Sequence, residues 1–503
     1  MKKITLILIF LLLNSSLSAY AAVEKEDRLW QDESVYSIMI DRFNNGDQNN
    51  DMDVNAKDPL AYNGGDIQGI IDKLDYIHDM GFTAIRLTPI FDNDKNGYHG
   101  FWVKDFYKVD EHFGTLKSFQ TLVKEAHKRK MKVVIDFVTN NVAADHPWLS
   151  DSSKKDWFHQ KQELTSGNAN QKDIEEGWID GLPDLNQDNP EVKKYLIDAA
   201  TWWINKTNID GLSLPGVNYV PISFWTDFST EVKKEKKDIF LLGVSSNNAS
   251  LDIQEYKAAG IDSVVNYQYS EKLRKTFAGT DQSFTTLYSD ADTIQNSFLR
   301  ANFMDNEYAS RFTSDIVAKK QFPGSRWKTA LLYLYTTPGI PVIYYGTEIA
   351  LNGEGIPDNR GQMSFRAEKE LIDYITKVGE LRNQLPSLTR GTMEMLYDQK
   401  GMVVYKRVYK GETSIIAINN SSKSQSVTLT NEQIKGGKEL RGLLGGDKVN
   451  NNDNKYMIIL DRDNSEVYVA AEKSGINFPL IAGLVVVYLL FFLFLIKLRK
   501  NKR

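Results

Sequence analysis

Eight short apolar runs constrain the fold more tightly than any other feature of the chain. They are Val35–Ile40, Thr83–Thr88, Val133–Val138, Gly211–Pro215, Ile239–Val244, Ser263–Tyr267, Ser297–Asp305 and Pro341–Tyr345, and most show no apolar–polar alternation. A strand with one face in water alternates, whereas a parallel strand covered on both faces does not. Amphipathic stretches such as Leu116–Lys130 and Glu191–Lys206 lie between several of them. Eight strands with intervening helices predict an α/β chain closed as a (β/α)8 TIM barrel over 22–395. The stretch from Asn140 to Pro190 is polar and rich in Asp, Asn and Trp. It is too long for a plain loop and predicts an inserted subdomain, 139–190, after the third strand. Beyond Gly391, the short runs Met402–Val408, Thr413–Ile418, Ser426–Thr430 and Tyr456–Leu460 are separated by turn residues. They predict a small C-terminal antiparallel β domain over 396–470.

The two ends read differently from the rest. Met1–Ala21 has Lys2 and Lys3, an apolar core from Ile4 to Leu13 and the sequence Ala19-Tyr20-Ala21, the pattern of a secretory signal peptide. After a linker at 471–475, Ile476–Ile496 carries no charged residue and would span about 31 Å as a helix, a bilayer core. Lys497, Arg499, Lys500, Lys502 and Arg503 follow, so the positive-inside rule places the tail 497–503 in the cytoplasm. The expectation is a single-pass protein of the cell membrane with an extracellular ectodomain. Setting aside the two positive charges of the signal and the five of the tail, the net charge of −5 becomes about −12 on the ectodomain, a poor match to nucleic acid. With no cysteine, thiolate metal sites, thiol nucleophiles and disulfides are excluded. The six histidines, at 78, 99, 112, 127, 146 and 159, leave the last 344 residues without imidazole chemistry.

Several motifs in order resemble the α-amylase family of glycoside hydrolases. They are Gly81-Phe82-Thr83-Ala84-Ile85-Arg86-Leu87-Thr88-Pro89, Gly97-Tyr98-His99-Gly100-Phe101-Trp102, Val134-Ile135-Asp136-Phe137-Val138-Thr139-Asn140-Asn141, Leu182-Pro183-Asp184-Leu185-Asn186, Phe303-Met304-Asp305-Asn306 and Pro338-Gly339-Ile340-Pro341. The Leu-Pro-Asp-Leu motif and the pair Trp202-Trp203 resemble a membrane-anchored bacillar branch. The resemblance implies a nucleophile at the end of the fourth strand, a general acid at the end of the fifth and a third acid after the seventh. Here those positions hold Pro215, Val244 and Tyr308. The supporting Arg and three His are Ser213, Asn141, Tyr219 and Glu307. Retaining glycoside hydrolysis uses two carboxyl groups, so the expectation from these positions is a protein that binds without hydrolysing.

What the resemblance implies for binding is more intact. Tyr98, His99, Phe101 and Trp102, with Asp136 and Arg311, are the candidate saccharide-binding residues. Asn45, Asp47, Asn50, Asp51 and Asp66, with the carbonyl of Gly64, offer the hard oxygens that calcium takes. Asn140 and Asn186 belong to a second implied calcium site, whose His position is Tyr219. Three functions follow: a surface pseudoenzyme binding α-glucan or a related saccharide, a scaffold for another envelope protein, or an active α-glucan hydrolase with a non-standard site.

Overall fold

The computed structural model describes residues 27–164, 169–245, 251–288, 298–435, 437, 439–471, 483 and 485–493. Eight parallel strands close a barrel: β1 (Val35–Ile38), β2 (Ala84–Leu87), β3 (Lys132–Asp136), β4 (Gly211–Pro215), β5 (Phe240–Val244), β6 (Ser263–Val265), β7 (Arg300–Phe303) and β8 (Ile340–Tyr344). Each pairs with the next, and β8 pairs with β1 through Val35 and Val342. All five residues of β4 and of β5 are buried, which is why these runs do not alternate.

The helices around the barrel follow from local chemistry. Thr115 caps helix α1 (Leu116–Lys128), its hydroxyl accepting from the Ser118 amide, and Phe119, Leu122, Val123 and Ala126 form the buried stripe. Helix α2 (Pro190–Thr207) starts with Asn189 as cap and proline in its first turn, and ends at Asn208 in the left-handed region. Adjacent tryptophans on a helix face different ways. Trp203 is fully buried and donates from Nε1 to the Phe106 carbonyl at 2.6 Å, while Trp202 is only partly buried.

Between β3 and β4 the chain forms short 3-10 turns at Pro147–Ser150 and Ser152–Trp157 and isolated bridges such as Asn141 to Asp184 and Phe158 to Leu185. A two-stranded ribbon, Phe91–Asn93 with Val103–Val109, rises after β2. Both excursions stand on the end of the barrel where the strands finish.

Among the described residues the C-terminal domain has eight strands: β9 (Thr392–Gln399), β10 (Met402–Tyr409), β11 (Glu412–Asn419), β12 (Gln425–Thr430), β13 (Glu439–Gly442), β14 (Lys448–Asn450), β15 (Lys455–Leu460) and β16 (Asn464–Ala471). Six form one sheet in the order β9-β10-β11-β16-β13-β14, and β12 pairs with β15. The domain rests on barrel helix α3 (Pro323–Thr336). Arg407 donates to the Thr336 carbonyl, and the hydroxyls of Tyr405 and Thr336 meet at 2.5 Å. Arg326 donates to the Asn420 side chain, and Asn420 in turn donates to the Thr276 carbonyl at 2.9 Å.

Among the described residues, no helix is long and apolar enough to cross a membrane. The expected span 476–496 is described only at 483 and 485–493, where the stretch is helical and its side chains are exposed. The expected signal peptide and basic tail lie outside the described residues, as does the linker after residue 471.

Candidate functional site

The strand ends of the barrel converge on a cavity of about 840 Å³, within the range of small-molecule sites and at the end where barrel sites form. The fourth strand delivers Pro215 and Gly216, the fifth Val244 and Ser245, and the segment after the seventh Tyr308. Gly216 turns the chain at φ +69°, and a Cβ there would sit 2.9 Å from the Tyr219 ring. Glycine is needed at such a turn.

One wall is aromatic. Tyr98, His99, Phe101 and Trp102 all line the cavity, as expected, and all four come from the turn of the ribbon. Asn93 Oδ1 accepts from the Trp102 amide at 2.9 Å, and His99 Nδ1 accepts from the Phe101 amide at 3.0 Å. An accepting Nδ1 leaves the proton on Nε2. Burial, with Arg360 and Arg42 nearby, pushes the His99 pKa down to about 3, so the ring is neutral. Arg42 lies 4.0 Å over the Tyr98 ring, and Arg360 Nη1 donates to the Tyr98 hydroxyl at 3.2 Å.

The inner end contains Pro215, Val244, Tyr267 and Tyr308. Among the described residues, the carboxylates on the cavity wall are Asp58 and Asp180, neither singled out by the sequence reading.

Directly behind this wall lies a cluster of buried charges. Arg86, from β2, donates from Nε and Nη2 to the two oxygens of Asp136 at 2.8 and 2.7 Å, a bidentate pair. The same guanidinium reaches Glu307 at 2.7 and 3.3 Å, Ser213 Oγ at 3.1 Å and Ser37 Oγ at 3.1 Å. Burial pushes Asp136 up to about 6 against the pull of Arg86. At Glu307 burial also pushes upward, but Arg86 outweighs it and holds the carboxyl below its ordinary range. The Glu307 carbonyl accepts from Arg360 Nε at 3.0 Å and Asn359 Nδ2 at 3.1 Å, which ties this layer to the wall through Arg360 and Tyr98.

Two expected saccharide contacts are therefore displaced. Asp136 is spent on Arg86 and does not line the cavity. Arg311 is fully buried, donating to the Asn359 and Tyr345 carbonyls at 2.8 and 2.7 Å, with Asp305 at 3.7 Å. Both serve the frame behind the site. Arg86 was visible only as one letter of a motif, and its partners are 50 and 221 residues away.

The implied calcium residues divide into two groups. Among the described residues, no three His, Cys, Asp or Glu side chains converge as a metal-binding group. In the first cluster, Asn45 Nδ2 donates to both oxygens of Asp51, and Asp47 Oδ1 accepts from the Asn49 amide. Asp66 caps the helix Ile67–Asp72, accepting from the amides of Gly46, Asp47 and Gly69. Asn50 Oδ1 is buried with no hydrogen-bond partner, and Gly64 is so close that a Cβ would lie 2.7 Å from Asn45 Nδ2. In the second group, Asn140 Oδ1 and Asp184 Oδ1 are both buried acceptors without a hydrogen-bond partner. Asn186 Oδ1 is used by the Asp188 amide at 3.2 Å. Asp184 was not expected in this group. Burial raises its carboxyl to about 7, opposed by His159 at 2.6 Å. Lone buried oxygens are what a hard cation would satisfy.

Residues 37–380 match the family described as alpha amylase, catalytic domain, and residues 391–468 match the alpha-amylase C-terminal domain. The intracellular maltogenic amylase of Bacillus subtilis strain 168 is 32% identical over 429 residues, covering 80% of this chain and 71% of that protein. The Paenibacillus polymyxa β/α-amylase is 34% identical over 86% of this chain, which spans 37% of that longer protein. Among solved structures, an Anoxybacillus α-amylase is 54% identical with a TM-score of 0.87, covering 90% of this chain and 100% of its own. The Geobacillus thermoleovorans α-amylase complexed with acarbose is 52% identical with a TM-score of 0.85, covering 89% and 100%. These similarities correct the expectation, drawn from Pro215, Val244 and Tyr308, of a saccharide-binding protein without hydrolytic activity. The similar proteins are enzymes that match along nearly the whole barrel and C-terminal domain, and they favour the hydrolase reading.

Proposed function

We propose that this chain, which belongs to the α-amylase family, acts on α-glucans as a glycoside hydrolase through the cavity at the strand ends. The observation that supports this most is the aromatic wall of Tyr98, His99, Phe101 and Trp102 beside a cavity large enough for two or more sugar rings. Flat apolar side chains with neutral polar neighbours stack on sugar faces, and the neutral His99 fits that role. Hydrolysis needs carboxyl groups across the glycosidic bond. Because Pro215, Val244 and Tyr308 supply none, the chemistry falls to Asp58 and Asp180 on the wall.

The test is reducing-sugar release from maltoheptaose by the purified full-length protein. Release above the blank is expected. Asp180→Asn is expected to abolish it, and an Asp180→Asn variant that still releases sugar rules out the wall carboxylates. A wild-type protein with no release overturns the reading.

The proposed arrangement has a cleaved signal at 1–21, an ectodomain made of the barrel and the 396–470 β domain, and a membrane anchor at 476–496. It is supported by the uncharged 21-residue stretch and the basic residues after it. Protease added to intact cells removes the barrel in this arrangement, and a protected barrel rules it out. Calcium is proposed at two places. One is held by Asn45, Asp47, Asn50, Asp51, Asp66 and the Gly64 carbonyl, the other by Asn140 and Asn186 with Asp184. A bound cation would add stability by mass action, so a chelator is expected to lower Tm. Asp47→Ala removes the part of that shift belonging to the first site. An unchanged Tm in chelator counts against both.

A further inference from the structure

The inner end of the cavity has the wrong chemistry for a charged or strongly polar group. Pro215, Val244 and the rings of Tyr267, Tyr308 and Phe101 face it. The Phe101 and Tyr308 rings lie 5.7 Å apart and tilted, and the Tyr267 hydroxyl oxygen accepts from Asn306 Nδ2 at 2.8 Å. The nearest buried carboxylates, Asp136 and Glu307, are behind this wall and ion-paired with Arg86. The polar wall groups Asn96, Asn141 and Asp180 come from other segments, the ribbon turn and the chain between β3 and β4, while Ser245 follows Val244. A sugar hydroxyl pressed against Pro215 or Val244 would lose water without gaining a partner from either side chain, a net cost. An apolar group of similar size gains instead.

We propose that the inner end of the cavity is a subsite for an uncharged apolar aglycone, an aryl or alkyl group carried on an α-glucoside whose sugars stack on the aromatic wall. The proposal rests on the same cavity as the hydrolase reading and narrows its substrate class. It concerns binding alone, so it fails or stands independently of turnover.

The test compares phenyl α-maltoside with maltotriose by calorimetric titration of the full-length protein in lipid nanodiscs, with empty discs as blank. The phenyl compound is expected to bind at least about tenfold tighter. Val244→Thr keeps the side-chain shape and adds a hydroxyl, and it should cut that preference several-fold while leaving maltotriose affinity in place. Val244→Ala makes the same point should the threonine variant melt low. Leu60→Ser, at the exposed mouth, should leave the preference unchanged. Equal affinities, a preference that survives both Val244 variants, or a preference lost only in Leu60→Ser would overturn the proposal. The last outcome would place the ring at the mouth. A preserved preference in a protein that releases no sugar removes the hydrolase reading and leaves this one standing.

Discussion

The inner wall of the cavity and the layer of side chains immediately behind it come mostly from different barrel strands, meeting only at Glu307-Tyr308 after β7, and they have opposite chemistry. The wall is Pro215, Val244 and Tyr308, while the layer behind is Arg86, Asp136 and Glu307. Charge is present at the barrel axis but lies behind the cavity, where Arg86 is shared by two carboxylates. Buried ions survive only when paired and hydrogen-bonded, and this cluster satisfies Arg86 with two carboxylates and two serine hydroxyls. The contrast shows that carboxylates close to a cavity are not the same as carboxylates available to it.

The largest way to break the contrast is to remove its centre. Arg86→Met leaves Asp136 and Glu307 buried without their partner and should cost about 3–5 kcal/mol in urea unfolding. Combining it with Asp136→Asn and Glu307→Gln should recover most of that loss. A single variant that unfolds like the wild type would mean that the layer is not held by charge. The next effect sits on the wall. His99 is held at about 3 by burial and the nearby arginines. Between roughly pH 6.5 and 3 the unfolded chain takes up a proton that the folded chain refuses, so stability falls as pH falls, by about 1.4 kcal/mol per unit well inside that window. In His99→Gln this contribution disappears, so the gap between wild type and variant should narrow on going from neutral pH to pH 5 in thermal melts. If the gap is constant, the imidazole is not kept neutral. The smallest effect lies on the link between the two layers. Tyr98→Phe removes the bond from Arg360 but keeps the ring under Arg42, and should cost about 1 kcal/mol. A loss several times larger would show that the link carries the wall.

The barrel was legible because its strands are buried on both faces and announce themselves as unbroken apolar runs. Ala84–Leu87 shows the limit of that signal: Arg86 sits in the middle of such a run, and nothing local says that its charge is matched by Asp136 and Glu307. The resemblance places Asp136 and Arg311 in the site, but motif position does not say whether a side chain reaches the cavity or the frame. In the C-terminal domain, Met402–Tyr409 and Glu412–Asn419 were readable. Thr392–Gln399, Glu439–Gly442 and Asn464–Ala471 were not, since polar and charged residues interrupt them and pairing with neighbours makes them strands. The aromatic wall was readable as a segment because its four residues are nearly contiguous, whereas Asp58, Asp180 and Arg360 come from three separate loops.

The seating of the C-terminal domain on helix α3 bears on how the molecule would come apart. Arg407 and Tyr405 grip the helix end at Thr336, while Asn420 is hydrogen-bonded by Arg326 and donates to the Thr276 carbonyl. A protease cut in the short connection around Gly391 would sever the chain without severing those bonds. The two pieces should then travel together on a sizing column and separate only in denaturant, because the covalent connection is the least of what joins them.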